Sequence, residues 1–475
     1  MPELLKPDIC VIGAGSGGLS VAAAAAAFGV PVVLVEKGRM GGDCLNFGCV
    51  PSKSLLAAGK HARAIAQAPA FGVSASRAEV AYGDVHRHVH EVIAAIAPMD
   101  SKERFGGLGV RVIEGTARFK DKRTVVVGDE IEIRARRFVV ATGSSPAVPP
   151  IPGLAETPHL TNETVFDLTT RPDHLLVIGA GPIGLELAQA FRRLGSKVTV
   201  VEAAQPLARE DPECAAIVLD ALAREGIEIR AGAEVVRVEA AGAGVKMIVR
   251  TGDGEQAIEG SHLLVAAGRR ANAAGLDLEN AAIRYDGGGI KVDKGLKTTN
   301  KRVYAIGDVA GGAQFTHAAN YHAGLVIRNA LFRLRVEADD GLIPRVTFTD
   351  PELAQIGLTD AEARRRRIGF HVLRWPYHEN DRAQAERETT GHIKVVTDRK
   401  GRILGATIVG AAAGELITTW TLAISQGLNI RALTGIVVPY PTLSEVGKRA
   451  AITYFTPGLT SPWVRRIIGL LRRFG

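Results

Sequence analysis

Residues 9–18 read Ile-Cys-Val-Ile-Gly-Ala-Gly-Ser-Gly-Gly, and residues 175–184 repeat the pattern as Leu-Leu-Val-Ile-Gly-Ala-Gly-Pro-Ile-Gly. Each copy begins with an apolar run typical of a buried strand, and a glycine-rich turn and a helical stretch come next. Each then enters a second apolar strand that ends in an acid, Glu36 or Glu202, at the same distance from the first glycine. The repeat predicts two strand–turn–helix–strand units, and thus an α/β fold with two Rossmann-like domains.

Each glycine of the first copy has a separate task in such a unit. Gly13 makes the tight turn, Gly15 lets the backbone approach a pyrophosphate, and Gly18 lets the helix pack closely on the strand. The helix N-terminus then faces the phosphate charge, and Glu36 accepts hydrogen bonds from ribose hydroxyls. The second copy supplies the equivalent residues Gly179, Gly181, Gly184 and Glu202. Two complete copies predict two bound dinucleotides rather than two ordinary turns.

The acid of the second copy bears on which dinucleotide is the electron donor. A carboxylate at this position repels a 2′-phosphate, and no Arg follows Glu202 before Arg209. The sequence therefore favours NADH over NADPH.

The composition is that of a globular protein with several domains, because 475 residues exceed a single core and 46% of them are hydrophobic. Four cysteines do not make a secreted disulfide scaffold, and no secretory signal is visible. The charge-free stretch 9–35 is interrupted by glycines and Pro31, so it predicts strand, loop, helix and strand rather than a membrane span. We expect a cytoplasmic protein. The net charge of +8 is not by itself a reason to expect a nucleic-acid partner, and we expect none.

Two cysteines come after the first unit, in the segment Gly41-Gly-Asp-Cys-Leu-Asn-Phe-Gly-Cys-Val-Pro-Ser-Lys53. Cys44 and Cys49 are spaced so that they can close a small disulfide ring. An apparent helix, residues 54–66, comes next, and thiols at a helix N-terminus have lowered pKa values and exchange faster. Two unrelated buried cysteines, or half a zinc site, are the alternatives. No second Cys/His pair has zinc-finger spacing, so we assign no metal site.

This segment resembles the active-site signature of the pyridine nucleotide-disulfide oxidoreductases, which include dihydrolipoamide dehydrogenase, glutathione reductase and mercuric reductase. The resemblance covers nearly the whole chain, and it is carried further by Ala141-Thr-Gly143, Ala266-Ala-Gly-Arg269, Tyr304-Ala-Ile-Gly-Asp308, Phe348-Thr-Asp-Pro-Glu352 and Asn380-Asp-Arg-Ala383. It implies two dinucleotide-binding domains and a C-terminal α+β dimerisation domain. The implied ranges are 1–147 and 273–344 for the two parts of the FAD-binding domain, 148–272 for the NAD(P)-binding domain, and 345–475 for the dimerisation domain.

The resemblance also implies a role for each site residue. Electrons would pass from NADH through FAD to the inner thiol, Cys49, and leave by the outer, interchange thiol, Cys44. Lys53 would pair with Glu186 near the flavin N5. The residues that would hold FAD are Gly13, Gly15, Gly18, Glu36, Lys53, Ala117, Thr142, Gly143, Gly307 and Asp308. Those that would hold the nicotinamide dinucleotide are Gly179, Gly181, Gly184, Glu202 and Gly268.

The C-terminal signature departs from the family pattern. Disulfide reductases carry His-Pro-Thr…Glu, in which the His shuttles a proton, whereas this chain has Pro439-Tyr-Pro-Thr-Leu-Ser-Glu445. Tyr440 takes the His position and Glu445 remains. A phenol titrates at about 10 and an imidazole at about 6.5, so Tyr440 is a poor base at neutral pH. Pro-Tyr resembles mercuric reductase, yet no Cys follows Cys214, so that enzyme's C-terminal metal-capturing pair is missing.

The resemblance leaves the electron acceptor open among a disulfide, a metal ion and a quinone. One rival interpretation is an NADH oxidase or quinone reductase in which the cysteine pair is secondary. Another is a redox-sensing flavoprotein with little turnover that is docked on a membrane partner by its C-terminal tail. In the family, the C-terminal element completes the partner subunit's active site, so we expect a homodimer. Asp43 stands where the family usually has Thr, and the sequence gives no reason for it.

The final segment, 462–475, predicts an amphipathic helix. Its apolar residues fall on one side of the helical wheel and its four arginines on the other. No acid occurs from Val446 to the end of the sequence. A basic amphipathic helix fits a membrane surface with anionic lipid, and packing on the dimer or a neighbouring domain is the alternative.

Overall fold

The computed structural model describes residues 2–74, 76, 79–459 and 461–474. They divide into two compact units, each with its own sheets and core. Unit 1 comprises residues 1–203 and 227–340, and unit 2 comprises residues 204–226 and 341–475. The segment 204–226, expected within the NAD(P)-binding domain, therefore groups with the C-terminal residues.

The first parallel sheet of unit 1 is built from short runs of β-branched and apolar residues that are buried on both faces. Its five strands lie in the order Val303–Ala305, Arg137–Val140, Ile9–Ile12, Val32–Glu36 and Val110–Glu114. Helix Ser16–Ala27 comes after the first glycine-rich turn and packs against helix Thr316–Ala330. Six alanines in the first of these helices let the two backbones approach closely while favouring helix.

The second parallel sheet of unit 1 repeats this arrangement. Its four strands lie in the order Glu228–Ala231, Lys197–Glu202, His174–Ile178 and His262–Val265. Helix Pro182–Arg193 comes after the second glycine-rich turn and begins with proline, which is favourable at the first helical position. The repeat predicted from the sequence is thus present as two βαβ units.

Smaller sheets and further helices complete unit 1. A four-stranded sheet contains Glu3–Leu5, Ile131–Ile133, Thr124–Val127 and Ala117–Asp121. A three-stranded antiparallel sheet contains Glu234–Ala241, Gly244–Thr251 and Gly254–Gly260. Two-stranded pairs join Ser144–Pro146 to Arg269–Ala271 and Tyr285–Asp286 to Gly289–Ile290. The remaining α-helices are Gly42–Asn46, Cys49–Gln67, Tyr82–Ile96 and Lys102–Gly107.

Unit 2 is an α+β arrangement around one antiparallel sheet. Its five strands lie in the order Arg345–Thr347, Glu352–Gly357, Ile403–Gly410, His392–Asp398 and Phe370–Pro376. Trp420 and Tyr377 are buried in its core. The helices are Pro212–Arg224, Asp360–Arg365, Asp381–Glu386, Ala413–Ser425, Ile430–Gly435, Glu445–Thr453, Thr456–Leu459 and Pro462–Leu471.

The expected fold class is confirmed: two Rossmann-like units and a C-terminal α+β region. Within the described residues, no helix has the length and apolar character needed to cross a bilayer.

Candidate active site

The first glycine-rich turn has the geometry that a dinucleotide pyrophosphate requires. Gly13 has φ of +104°, and a Cβ there would lie 2.4 Å from the Ala141 carbonyl oxygen. A Cβ on Gly18 would lie 1.9 Å from the Gly13 carbonyl oxygen, so the helix contacts the strand where only glycine fits. A Cβ on Gly15, by contrast, would meet no atom within 4 Å. The turn is therefore tight on its protein side and open in front of the helix N-terminus, which suits the phosphates of FAD.

Glu36 ends the second strand of this unit and is anchored by the backbone. Its Oε2 accepts from the Ala14 N–H at 2.5 Å, and its Oε1 accepts from the Gly38 N–H at 2.7 Å. A carboxylate offers about four acceptor positions, so two remain for ribose hydroxyls.

The second glycine-rich turn has almost the same geometry. Gly179 has φ of +107°, and a Cβ there would lie 2.5 Å from the Ala266 carbonyl oxygen. The Gly184 Cβ would lie 2.1 Å from the Gly179 carbonyl oxygen, whereas Gly181 again faces open space. Glu202 accepts from the Ala180 N–H at 2.9 Å. A second dinucleotide therefore fits here by the same criteria.

Three of the other residues expected at the cofactors, Thr142, Gly143 and Gly268, come shortly after strands of the two parallel sheets. Thr142 donates to the Asn272 carbonyl at 2.7 Å, and the Gly307 N–H donates to His322 Nδ1 at 3.2 Å. Gly143 and Gly268 have positive φ and open space at their Cβ positions. Ala117 is the buried first residue of strand Ala117–Asp121, in the core below the first sheet.

The segment 41–53, which carries Cys44 and Cys49 and is called the redox segment below, differs from the sequence expectation at one point. The helix expected over 54–66 begins earlier and spans Cys49–Gln67. Pro51 lies in its first turn, where proline removes no helical hydrogen bond. Cys49 is thus the first residue of a long helix, and Cys44 lies in the short helix Gly42–Asn46. Both carry free thiols, and the Cys49 sulfur is 3.4 Å from the Thr316 hydroxyl oxygen.

The two thiols have opposite electrostatic environments. The pKa of Cys49 is lowered to about 6 by hydrogen bonds from Cys44 and Thr316 and by the charge of Lys53. The pKa of Cys44 is raised, first by its hydrogen bond to Cys49 and then by burial. These environments favour a thiolate on Cys49 over one on Cys44.

The remaining two cysteines lie outside this environment. Cys10 and Cys214 are fully buried in separate cores. Burial raises the pKa of Cys10 to about 12 and also raises the pKa of Cys214. A buried, neutral thiol is a poor nucleophile, so neither residue competes with the redox pair.

Lys53 and Glu186 form the ion pair that the resemblance implies. Lys53 Nζ lies 2.7 Å from Glu186 Oε2, and the Glu186 side chain is only 6% exposed. Lys53 lies one turn after Cys49 on the same helix, and Glu186 lies on the helix that opens at the second glycine-rich turn. The pair therefore links the thiol-bearing helix to the second nucleotide-binding unit.

Asp43 has partners that the sequence did not indicate. Its Oδ2 lies 3.2 Å from Arg269 Nη2, and its Oδ1 accepts from Asn162 Nδ2 at 3.1 Å. Arg269 is also 3.8 Å from Asp308 Oδ2, and the Ser144 hydroxyl donates to the same oxygen at 2.5 Å. Burial raises the pKa of Asp308.

Tyr440 lies in unit 2 and is 70% exposed. Its hydroxyl donates to Asp381 Oδ2 at 2.8 Å, and this hydrogen bond raises the pKa of the phenol. Glu445 begins helix Glu445–Thr453. Among the hydrogen bonds of the described residues, the partner of the phenol is Asp381 and not the retained Glu445.

Two dinucleotide turns and a dithiol at a helix N-terminus define a flavin-dependent oxidoreductase of the disulfide-reductase type. Residues 7–323 match the pyridine nucleotide-disulphide oxidoreductase family, and residues 343–451 match its dimerisation domain. The chain belongs to this family, uses FAD and NAD(P)H, and carries the domain through which its members dimerise.

Relatives with curated names include mercuric reductases and a dihydrolipoyl dehydrogenase. The mercuric reductase of Bacillus cereus is 36% identical over 450 residues, which cover 94% of this chain and 71% of that protein. The dihydrolipoyl dehydrogenase of Staphylococcus aureus is 33% identical over 454 residues, covering 94% and 96%.

One similar solved structure is the Cu(II) complex of the HOCl-induced flavoprotein disulfide reductase RclA from Escherichia coli. It has 29% identity and a TM-score of 0.84, and the match covers 94% of this chain and 99% of that one. LpdA from Mycobacterium tuberculosis has 27% identity and a TM-score of 0.87, covering 95% and 99%.

Proposed function

We propose that this chain is an NADH-dependent, FAD-containing reductase whose Cys44–Cys49 pair delivers electrons to a thiophilic metal ion. When bound, FAD accepts a hydride from NADH and supplies two electrons to the cysteine pair. The observation that carries the proposal is the position of the thiols: Cys49 begins a helix with Lys53 one turn later, and the Thr316 hydroxyl lies 3.4 Å from the Cys49 sulfur, which favours the thiolate on Cys49. Thiolate is the ligand that soft metal ions prefer.

In the proposed cycle, the cysteine pair alternates between a disulfide and a thiol with a neighbouring thiolate. Two electrons and one proton break the Cys44–Cys49 bond, leaving a thiol on Cys44 and a thiolate on Cys49. A sulfur-bound dication takes two electrons, or two ions take one each, the disulfide re-forms, and the Cys44 proton is released. The Lys53 ammonium, held by Glu186, stabilises the Cys49 thiolate between the two half-reactions.

The choice of a metal ion rests on Tyr440. A disulfide acceptor must receive a proton on its leaving sulfur, so its reduction benefits from a general acid–base group. The Tyr440 phenol is bound to Asp381, which raises its pKa and makes it a still weaker acid at neutral pH. Reduction of a metal ion produces no thiol that must be protonated. Relatives named mercuric reductase, and the Cu(II) complex of RclA, support the same class.

An acceptor panel tests this function. Purified holoenzyme with NADH is assayed with Hg(II), Cu(II), lipoamide, glutathione disulfide and a soluble quinone, for wild type, Cys44→Ser and Tyr440→His. We expect metal reduction to exceed disulfide reduction by about a hundredfold, because a proton shuttle contributes ~10²–10⁴-fold. Tyr440→His should recover part of the disulfide activity. Lipoamide turnover in wild type that matches or exceeds metal turnover would contradict the proposal.

The same panel separates the rival functions. A quinone reductase in which the cysteine pair is secondary keeps its quinone activity in Cys44→Ser. A metal or disulfide reductase loses its thiol-linked activity in that variant. A redox-sensing flavoprotein turns over slowly with every acceptor.

We further propose that Tyr440 and Glu445 act in the active site of the partner subunit of a homodimer, as the resemblance implies. Coexpressing wild type with an inactive chain that carries both Cys44→Ser and Tyr440→His tests this arrangement, with lipoamide reduction as the readout. If the site is shared, heterodimers gain lipoamide activity at the site that combines the wild-type cysteines with His at position 440 of the partner. Purified heterodimers with no more lipoamide activity than wild type would indicate that each chain completes its own site.

For cellular location we propose the cytoplasm, with contact at an anionic membrane surface through residues 462–475. Helix Pro462–Leu471 has no buried residue among those described. Large apolar side chains are exposed at and after this helix, namely Trp463, Ile468, Leu470, Leu471 and Phe474. Arg465 and Arg466 lie in the helix, on the side of the helical wheel opposite the apolar residues, and Arg472 and Arg473 come directly after it. Exposed Trp and Phe next to Arg are typical of interfacial helices.

Vesicle sedimentation tests the membrane contact. Full-length protein is mixed with vesicles of phosphatidylglycerol and phosphatidylcholine or of phosphatidylcholine alone. We expect binding to the anionic vesicles only, and its loss when Arg465, Arg466, Arg472 and Arg473 are changed to Gln. Changing Arg364, Arg365, Arg366 and Arg367 to Gln removes the same charge elsewhere and should leave binding intact. Equal loss in both variants, or no binding by wild type, would show that the tail serves another surface, such as the dimer.

A further inference from the structure

His322 is a buried histidine on helix Thr316–Ala330, outside the glycine-rich turns and the redox segment. The residue is only 5% exposed, and its Nδ1 accepts a hydrogen bond from the Gly307 N–H at 3.2 Å. Gly307 begins the turn Gly307–Ala310, which carries Asp308. His322 therefore contacts the backbone of a segment that is expected to hold FAD.

The direction of this hydrogen bond fixes the state of the ring. A backbone N–H can only donate, so Nδ1 accepts through its lone pair and the proton of the neutral ring lies on Nε2. Burial favours the neutral ring, since it lowers the pKa of His322. Nε2 has no hydrogen-bond partner among the described residues. The contact with Gly307 is therefore the polar interaction that can offset the cost of burying an imidazole here.

The turn at Gly307 lies between the first parallel sheet and the helix that carries His322. Gly307 has φ of +66°, and a Cβ there would lie 3.0 Å from the Ala319 Cβ, so the helix packs directly on the turn. On the sheet side, the Ile306 N–H donates to the Val140 carbonyl at 3.0 Å. On the helix side, His322 supplies the hydrogen bond to the next N–H of the chain.

Asp308 follows Gly307, so its position depends on the conformation of that glycine. The Asp308 Oδ2 accepts from the Ser144 hydroxyl at 2.5 Å, and Arg269 Nε is 3.8 Å from the same oxygen. Glycine adopts a wide range of φ at little cost. Without a fixed N–H, Gly307 can therefore change its φ and move the carboxylate that comes after it.

We propose that His322 is a positioning residue for FAD: by accepting from the Gly307 N–H, it fixes the glycine at a φ of +66° and holds Asp308 where the cofactor binds. The inference rests on the use of FAD and on the expected role of Asp308 in holding it, and not on the choice of a metal acceptor. Loss of the acceptor leaves a buried backbone donor unpaired, and the turn can relieve this only by moving.

Two side chains of nearly equal shape test the role of the acceptor at position 322. Asn places its Oδ1 close to the position of the imidazole Nδ1, whereas Leu has the same branched shape and no acceptor. Purified holoenzyme of each variant and of wild type is diluted, and release of FAD is followed by the rise in flavin fluorescence. We expect His322→Leu to release FAD about tenfold faster than wild type, and His322→Asn to stay within about threefold of it.

Asn320→Leu is the matched control. Asn320 lies on the same helix, and its Oδ1 accepts from the Ser20 hydroxyl at 3.0 Å on the exposed side. The change removes a side-chain hydrogen bond from the helix but none from the turn, so FAD should be released at the wild-type rate. If His322→Leu does not fold, His322→Ala gives the same comparison with His322→Asn, because Ala also lacks an acceptor.

A role of His322 in packing alone predicts the opposite order, because Leu fills an apolar site better than Asn does. FAD release from His322→Leu that is as slow as release from His322→Asn would therefore overturn the inference. Asp308→Ala in the same assay tests the role of Asp308, and we expect it to release FAD faster than wild type. If it does not, the inference falls with that role, whereas metal reduction by the holoenzyme remains measurable in the acceptor panel.

Discussion

The two glycine-rich turns of this protein are nearly identical, whereas the chain segments that come after the two units differ. The first glycine has φ of +104° in one turn and +107° in the other. In both turns the last glycine of the motif packs on the carbonyl of the first, and the carboxylate of an acid accepts a hydrogen bond from the backbone of the turn. After the first unit the chain returns to the turn: a Cβ on Gly42 would lie 2.7 Å from the Gly15 Cα, and the Gly41 N–H donates to Ala14. The cysteine segment is thus pressed against the first turn.

The segment after the second unit takes a different course. Residues 204–226, which come after Glu202, group with unit 2. The repeated motif thus provides two turns suited to a dinucleotide, and only the segment after the first one packs both cysteines close to its turn. Variants placed at equivalent positions of the two turns can test this division.

The largest expected effect comes from Gly18→Val and Gly184→Val. In each, the new side chain would meet a carbonyl oxygen at 2.1 Å or less, so helix and strand must separate. We expect Gly18→Val to yield protein without flavin, and Gly184→Val to keep its flavin but lose reduction by NADH. The flavin-to-protein ratio and the rate of anaerobic bleaching measure these outcomes.

Gly83→Ala is the matched control for the glycine variants, because Gly83 lies in a helix with open space at its Cβ. It should be neutral or slightly stabilising. If Gly184→Val also lost its flavin, the two cofactor sites would not be separable.

The second prediction concerns the thiols beside the first turn. Thiolate-to-flavin absorbance requires a thiolate beside an oxidised flavin, so in wild type it should appear after two-electron reduction, which places the electrons on the cysteine pair. Cys44→Ser cannot form the disulfide, so it should show the band before reduction and lose it when the flavin is reduced. Cys49→Ser should show no band in either state. Since the pKa of Cys49 is lowered to about 6, the thiolate and its absorbance are present above that pH and fade as the pH falls through it. Metal reduction should fall by ~10²-fold or more in either variant, because each removes one of the two sulfurs that cycle. Persistence of the band in Cys49→Ser would reverse the assignment of the two cysteines.

The third prediction compares the two acids. The carboxylate of Glu202 should repel a 2′-phosphate, so we expect wild type to favour NADH over NADPH in kcat/KM. Glu202→Ala should narrow that ratio by about tenfold, which corresponds to about 1.4 kcal/mol. Glu36→Ala should instead weaken FAD retention and leave the ratio unchanged. Equal use of both donors by wild type would show that Glu202 does not decide between them.

The smallest expected effect concerns the Lys53–Glu186 ion pair, which joins the helix that begins at Cys49 to the helix after the second glycine-rich turn. The hydrogen bond from Cys44 lowers the pKa of Cys49 most, and the charge of Lys53 lowers it further. Lys53→Met should therefore raise the pH midpoint of Cys49 alkylation by iodoacetamide by about half a pH unit. The resulting loss of activity should be greatest between about pH 6 and 7, where the thiolate fraction changes most. Lys53→Arg keeps the charge and should restore the wild-type midpoint. An unchanged midpoint in Lys53→Met would mean that the ion pair with Glu186 serves only to hold the two helices together.

Much of this arrangement can be predicted from local sequence patterns. Glycine spacing, apolar runs and a terminal acid define both βαβ units, and strand Ile9–Ile12 has the expected bounds. The helix expected over 54–66 begins five residues earlier, at Cys49, because Pro51 fits in the first turn of a helix and does not interrupt it. A local pattern does not show whether a proline precedes a helix or lies in its first turn. The difference matters for Cys49, because it decides whether the thiol lies at a helix N-terminus.

Other parts of the site depend on residues that no local pattern connects. Thr316 contacts Cys49 across 267 positions, and Asn162 reaches Asp43 across 119. The hydrogen bond from Tyr440 to Asp381 spans 59 positions, whereas Glu445 is only five positions away in sequence. These contacts arise from the packing of whole elements, and among these residues only Asp43 carries a signal in the sequence, as a departure from the family signature.

The burial of Cys10 and Cys214 has a practical consequence. Because only Cys44 and Cys49 can react with a reagent that does not penetrate the fold, the native protein should bind two equivalents of a thiol-specific dye after reduction and none after oxidation. Unfolding would add two equivalents in either state. The number of dye molecules per chain therefore reports the oxidation state of the redox pair and the integrity of the fold in one measurement.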